Sequence, residues 1–294
     1  MVAILMSTYN GERYLREQID SLLNQTYKDW KLYIRDDKST DGTVSIIEGY
    51  VRVYPDQIVY KSDGFGNLGA GCSFMQLLSS IDSDYYMFCD QDDVWMEDKI
   101  ERTYLYLRSL EQKYSENTAI GVFTDLTFIN SNLTVLMPSL WKGDNRNPDF
   151  VHNFYKQWTN RHASYGCTQM FNHAAKKLVL PYRQFEGTMG AHDNWVEYIL
   201  IKKGVYDYID ESTILYRQHG TNVVGANFGH SYKDDLNEIF HNPILCWRKI
   251  VKDYKRMKIM PFHVSLSKVL WYRFYQSIEA VLKKSLRVNL DLFI

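Results

Sequence analysis

Apolar residues come in two rhythms along this chain. Short unbroken apolar runs alternate with stretches in which apolar positions recur every three or four residues. Val2-Ala3-Ile4-Leu5-Met6 is the first run, and it predicts a strand buried on both faces, as in a parallel sheet. Leu15, Ile19, Leu22 and Leu23 then mark one face of a helix. Trp30 to Arg35 predicts a second strand, and a helix carrying Val44, Ile46 and Ile47 follows it. Ile58-Val59-Tyr60 is a short third strand. A helix through Phe74, Leu77, Leu78 and Ile81 leads to a fourth strand at Tyr85–Cys89, and the next helix carries Ile100, Tyr104, Leu107 and Leu110. This β-α repetition predicts an α/β fold with a mostly parallel central sheet.

The second half is less regular. Ala119 to Asn130 reads as a long strand. Residues 131–160 read as loop-rich, with Pro138, Gly143 and Pro148 and with Trp141 and Trp158 looking exposed. Gly166 to Asn172 predicts another strand, Val196, Ile199 and Leu200 a helix, and Ile214–Tyr216 a last strand. From about residue 231 the pattern turns helical, with Leu270, Phe274, Ile278, Val281 and Leu282 on one face. The expected organisation is a domain over 1–230, in halves at 1–118 and 119–230. Residues 231–294 form a basic helical extension.

Charge sharpens that division. The formal net charge is −1, so nothing global points to nucleic acid. Residues 231–294 nevertheless carry 12 Lys+Arg against 6 Asp+Glu, leaving 22 against 29 in residues 1–230. Cys72, Cys89, Cys167 and Cys246 form no C-x-x-C pair and read as reduced thiols of a cytoplasmic protein. The Val2–Met6 run is too short for a signal peptide, and no run approaches a membrane-spanning length.

The polar clusters fall where the strands end. Ser7–Asn10 follows the first strand, Asp36-Asp37 the second and Asp90–Asp93 the fourth. Ligands of parallel sheets bind beyond the carboxyl ends of the strands, so three clusters on one rim define a candidate site. Asp90-Gln91-Asp92-Asp93 puts three carboxylates within four residues. Read plainly this is a solvated acidic turn; read as a site, the mutual repulsion is offset by a cation or a donor, and oxygen ligands suit Mg²⁺ or Mn²⁺. An EF-hand reading fails, because Val94 and Trp95 stand where a ligand and a turn glycine are needed. Gly64-Phe65-Gly66-Asn67-Leu68-Gly69 matches G-x-G-x-x-G, the dinucleotide fingerprint. Lys61-Ser62-Asp63 separates it from its strand, however, and the turn after Met6 lacks it, so a dinucleotide enzyme is the weaker alternative.

Together, Leu5 to Gly11, Leu22 to Tyr27, Asp36 to Thr43, Asn67-Leu68-Gly69 and Asp90 to Trp95 resemble glycosyltransferase family 2. These are nucleotide-sugar-dependent inverting transferases of GT-A fold. Asp90 to Trp95, Gly187 to Trp195 and Tyr216 to Asn222 resemble a bacterial rhamnosyltransferase-like branch of cell-surface polysaccharide assembly. The resemblance covers roughly residues 2–225. It implies that Ser7, Thr8 and Tyr9 line the nucleoside pocket and that Asp37 accepts from the pyrimidine. Asp90 reaches the ribose or metal, and Asn67, Gln91, Asp92 and Arg217 complete the donor site. Asp92, Asp93 and His219 hold Mn²⁺ or Mg²⁺. The resemblance also implies a nucleotide-binding half at 1–118, an acceptor-binding half at 119–230, and Asp193, between flexible glycines and a helix, as the catalytic base.

Plainer readings stand beside each role: a core tyrosine for Tyr9, a helix cap for Asp193, a structural histidine for His219. Trp95 and Trp195 are sugar-stacking walls or core. The implied partners are a UDP-sugar or dTDP-rhamnose and a lipid-linked or protein-linked glycan acceptor. The basic extension would touch the inner face of the membrane, a second copy or its own catalytic domain. A non-catalytic carbohydrate-binding protein on the same fold is the reading from another class.

Overall fold

The computed structural model describes residues 1–182, 192–220 and 243–275, the last segment as backbone alone over 243–250. Gly187, Gly190, Thr221, Asn222, Ile278, Val281 and Leu282, each part of an expected element or motif, lie outside the described residues. The chain divides into two compact units.

The first unit, Met1–His152 with His162–Gly225, is built on one mixed sheet. Its strands are β1 (Val2–Thr8), β2 (Trp30–Asp36), β3 (Ile58–Tyr60), β4 (Tyr85–Cys89), β5 (Val94–Trp95), β6 (Ile120–Ile129), β7 (Val135–Met137), β8 (Gln169–Asn172) and β9 (Val205–Arg217). The order is β3-β2-β1-β4-β8-β6-β9-β5, with β7 on β6. The expected parallel core β3-β2-β1-β4 is present, and β6 pairs parallel with β9. Reversed β8 lies between β4 and β6. Val2 through Met6 have no exposed surface, as the unbroken apolar run requires of a strand covered on both faces.

The helices are α1 (Leu15–Leu23), α2 (Thr43–Val53), α3 (Ala70–Ser80), α4 (Lys99–Tyr114), α5 (Leu140–Gly143), α7 (His173–Val179) and α8 (His192–Lys203), with α6 assigned below. Strand alternation on β4 shows how they are divided between the faces. Tyr85 meets α4, its hydroxyl donating to Glu111 at 2.9 Å, whereas Phe88 meets Phe74 of α3 and His192 of α8 at ring separations of 5.4 and 4.5 Å. Residues 131–160 are more ordered than their Pro and Gly content suggests. Trp141 and Trp158 are buried, not exposed, and the Trp141 indole donates to the Ala163 carbonyl at 2.8 Å.

The second unit joins Asn153–Arg161 to Ala226–Ile294. Its described parts are α6 (Phe154–Thr159), α9 (Pro243–Ile259) and a helix over 266–275. Phe154 packs against Phe262 at 5.5 Å, Tyr155 stacks on Tyr272 at 5.9 Å, and Arg273 pairs with buried Asp253 at 2.6 Å. Among the described residues no helix is long and apolar enough to cross a membrane.

Candidate active site

Register sets the rim. Thr8 is level with Asp36 and Met6 with Cys89, so the clusters after β1, β2 and β4 emerge at one edge of the sheet. Ile129 of β6 is level with Arg217 of β9, which delivers Gln218 and His219 beyond the same edge.

At its centre the His219 imidazole Nε2 lies 2.8 Å from Asp92 Oδ2, both side chains retaining some exposure. The Tyr14 ring backs His219 at 5.0 Å. Asp93 is deeper and fully buried. One of its oxygens accepts from the Arg217 backbone N–H at 3.0 Å, and the other, Oδ2, has no partner. Ligand atoms of Asp90, Asp93 and Cys167 lie within 4.8 Å of one another. Burial, then the charge of Asp92, pushes Asp90 up to about 7, with Asp193 adding to the shift. Burial and both neighbouring carboxylates push Asp93 well up.

These groups fit a hard divalent ion. Carboxylate oxygens with one imidazole, one oxygen buried and unpaired, suit Mn²⁺ or Mg²⁺. Burial and the adjacent carboxylates hold the Cys167 thiol well above its ordinary value.

Asp193 begins α8. Its Oδ2 accepts from the Gly166 N–H at 3.2 Å and its Oδ1 from the Asn194 N–H at 2.7 Å. Gly166 permits this approach, since a Cβ there would lie 2.7 Å from His192 Nε2 and 3.5 Å from the Asp193 Cβ. His192 is buried between Phe74 and Phe88 with both ring nitrogens unpartnered, and burial lowers its pKa to about 4.

Several expected donor contacts turn out to hold the site's frame. Arg217 is wholly buried. Its guanidinium donates to the Asp92 carbonyl at 2.8 Å, the Ser131 carbonyl at 3.0 Å and Glu17 at 2.5 Å, and lies 4.5 Å over the Tyr14 ring. A buried guanidinium needs its donors satisfied by protein, and these contacts tie Arg217 to the backbone of Asp92 and Ser131 and to the Glu17 carboxylate. Gln91 is likewise occupied, its amide accepting from the Tyr9 N–H at 2.8 Å and donating to the Tyr9 carbonyl at 3.0 Å. That pairing leaves the Tyr9 ring half exposed on the rim. Gly11 makes room for it, as a Cβ there would collide with the Gln91 amide at 2.3 Å.

Asp37 is also buried. It accepts from Arg35 at 2.6 Å and from the Leu68 and Gly69 N–H groups at 2.7 and 2.8 Å, while Asn67 donates to its carbonyl at 2.9 Å. Arg35, itself buried, also reaches Asp63 at 2.7 Å and the Gly66 carbonyl at 3.0 Å. The glycine stretch is thus a loop strapped to β2, with Gly64 and Gly69 at φ of 72° and 76°. Thr8 is buried with its hydroxyl on Asp36 at 2.8 Å, and the Ser7 hydroxyl donates to Ser73 at 2.6 Å. Trp95 and Trp195 are core, and the Trp195 indole donates to the Val179 carbonyl at 2.7 Å. Sequence reasoning missed Glu17, Tyr14, Ser131, Gly166 and Cys167. Each meets the site only through the sheet's topology, and no local motif marks it.

A mostly parallel α/β core with an acidic rim at the carboxyl ends of its strands, beside a strapped glycine loop, defines the class of α/β proteins that bind ligands at the strand ends. The chain belongs to the glycosyl transferase family 2, whose family model matches residues 3–179. It is similar to the dTDP-rhamnosyl transferase RfbG of Shigella flexneri, 32% identical over 78% of this chain and 76% of that protein. Two further curated glycosyltransferases of Bacillus subtilis are spanned over 44% and 40% of their lengths. Among solved structures it resembles S. aureus TarS 1–349 in complex with UDP-GlcNAc, with a TM-score of 0.56 and 15% identity over 93% of this chain and 72% of that one. In two other structures of the same fragment the chain spans 60% of it. It also resembles the mannosyltransferase PcManGT of Pyrobaculum calidifontis in complex with GDP-Man and Mn²⁺, with a TM-score of 0.55 and 14% identity over 93% and 69%. The fold is GT-A, and the chain is a glycosyltransferase.

Proposed function

We propose that this glycosyltransferase is inverting and metal-dependent. It moves rhamnose, or else a hexose, from a dTDP or UDP donor to a glycan acceptor in bacterial surface-polysaccharide or glycoprotein-glycan assembly, on the cytoplasmic side. The observation that supports this reading best is the pairing of Asp92 with His219 beside a helix-borne Asp193, whose charge acts on Asp90. RfbG's own description supports rhamnose as the first donor to test.

Asp92, His219 and the unpaired oxygen of Asp93 would hold Mn²⁺ or Mg²⁺. Such an ion, when bound, neutralises charge on the departing diphosphate. Tyr9 offers an exposed ring for the nucleobase, held by Gln91. Asp193 accepts the proton of the acceptor hydroxyl while that oxygen bonds to the anomeric carbon. The carbon–oxygen bond to the donor breaks, and its electron pair leaves with the nucleoside diphosphate. Gly166 and the α8 backbone fix the direction of the Asp193 carboxylate.

The test is release of nucleoside diphosphate from dTDP-rhamnose, UDP-glucose and UDP-galactose with Mn²⁺, with and without glycan acceptor. Asp193→Asn should keep nucleotide affinity and lose about 10²–10⁴ in transfer. Unchanged transfer in that variant would refute the base assignment.

A further inference from the structure

We infer that the helix over 266–275 docks the protein on an anionic phospholipid surface. One face of that helix packs within its own unit. Val269 is buried, Tyr272 stacks on Tyr155 and accepts from Asn153 at 3.0 Å, and Arg273 pairs with Asp253. The opposite face repeats the apolar pattern where it has no use in a core. Leu270, Trp271, Phe274 and Tyr275 are 40%, 56%, 65% and 47% exposed, with Trp271 stacked on Tyr275 at 5.5 Å. At about 100° per residue these four make one stripe, on the side away from Val269. Leu266 on the preceding turn and Tyr254 of α9 are exposed as well.

A helix apolar on both faces needs a second apolar phase beside it. Charge identifies that phase. Residues 243–275 contain Arg248, Lys249, Lys252, Lys255, Arg256, Lys258, Lys268 and Arg273 against the single acid Asp253, which is buried and paired. So basic a segment is repelled by a second copy of itself and attracted by an anionic leaflet. Exposed Trp, Phe and Tyr beside Lys and Arg are the composition of a helix lying in the headgroup region. Among the described residues no helix is long and apolar enough to cross a membrane, and the stripe lies along the flank of its helix, so the contact we infer is a surface one.

The experiment is vesicle co-sedimentation of the full chain with phosphatidylglycerol–phosphatidylcholine vesicles and with phosphatidylcholine alone. Two salt concentrations are compared, and oligomeric state is read in parallel by light scattering. Binding should require the anionic lipid and weaken as salt rises. Trp271→Ser with Phe274→Ser should lower partitioning about tenfold or more while leaving the circular dichroism unchanged, because both side chains lie outside the core. Three results would overturn the inference: no binding to anionic vesicles at low salt, binding that the double substitution leaves intact, or a concentration-dependent dimer that the substitution dissociates in a protein indifferent to vesicles.

Discussion

Arg217→Met tests whether the site is positioned from beneath. The substitution keeps much of the side-chain volume and removes three hydrogen bonds: to the Asp92 carbonyl, the Ser131 carbonyl and Glu17. The two charge-assisted bonds to carbonyls contribute about 1.5–3 kcal/mol each. The Glu17 pair contributes less than about 1 kcal/mol, because that carboxylate is half exposed and regains water. Against this stands relief from burying a guanidinium, a few kcal/mol. The net loss is about 2–4 kcal/mol, well inside the ~5–15 kcal/mol of an ordinary domain. The protein should therefore fold, with its melting temperature lowered by roughly 5–15 °C. The more telling effect is on the rim. Without the bond to its carbonyl, Asp92 no longer faces His219 at a fixed distance, so Mn²⁺ affinity should fall about tenfold or more. Arg217→Lys should restore part of the stability and little of the Mn²⁺ affinity, since an ammonium cannot reach both carbonyls at once. Calorimetric Mn²⁺ titration beside thermal unfolding reads both quantities. Wild-type Mn²⁺ affinity in a destabilised Arg217→Met would refute the positioning argument. Lost nucleotide affinity without metal, at unchanged stability, would return Arg217 to the donor site.

Chelation with EDTA should abolish transfer and Mn²⁺ restore it, and Asp92→Asn should remain inactive at every Mn²⁺ concentration that rescues the wild type; transfer at full rate in EDTA contradicts the metal proposal. Gly166→Ala pushes His192 and the start of α8 away from residue 166, so transfer should fall about tenfold or more while dTDP and UDP affinities hold, as measured by product formation beside nucleotide titration. His192 sits neutral in the core with its pKa lowered from 6.5 to about 4. The unfolded chain therefore takes the proton first as pH falls. Stability that is full above pH 6.5 declines through pH 4, by up to about 3 kcal/mol. His192→Leu should flatten that decline, and denaturant midpoints at pH 7, 5 and 4 in the two proteins check it.

What could be read from the chain alone follows from which forces act locally. Apolar periodicity reports burial, so β1, β2, β4 and the helices between them were legible, and the rim followed from the rule that parallel strands share an end. Reversed β8 was not legible in direction, because Gln169–Asn172 is as apolar either way up. The rim residues were legible as chemical types, but their partners were not. Asp37 and Asp92 look alike in sequence, each next to a second aspartate after a strand. One is buried under Arg35 and two backbone N–H groups, and the other stays accessible beside His219. The difference lies in what the sheet order brings against them. Arg35 of β2 lies two residues before Asp37 and takes its carboxylate inward, whereas Asp92 is held through its main-chain carbonyl by Arg217 of distant β9, which leaves its carboxylate to face His219. Asp37 spends both oxygens on three protein donors, whereas Asp92 shares one oxygen with His219 and Asp93 keeps one without a hydrogen-bond partner, so the last two offer oxygen to a cation.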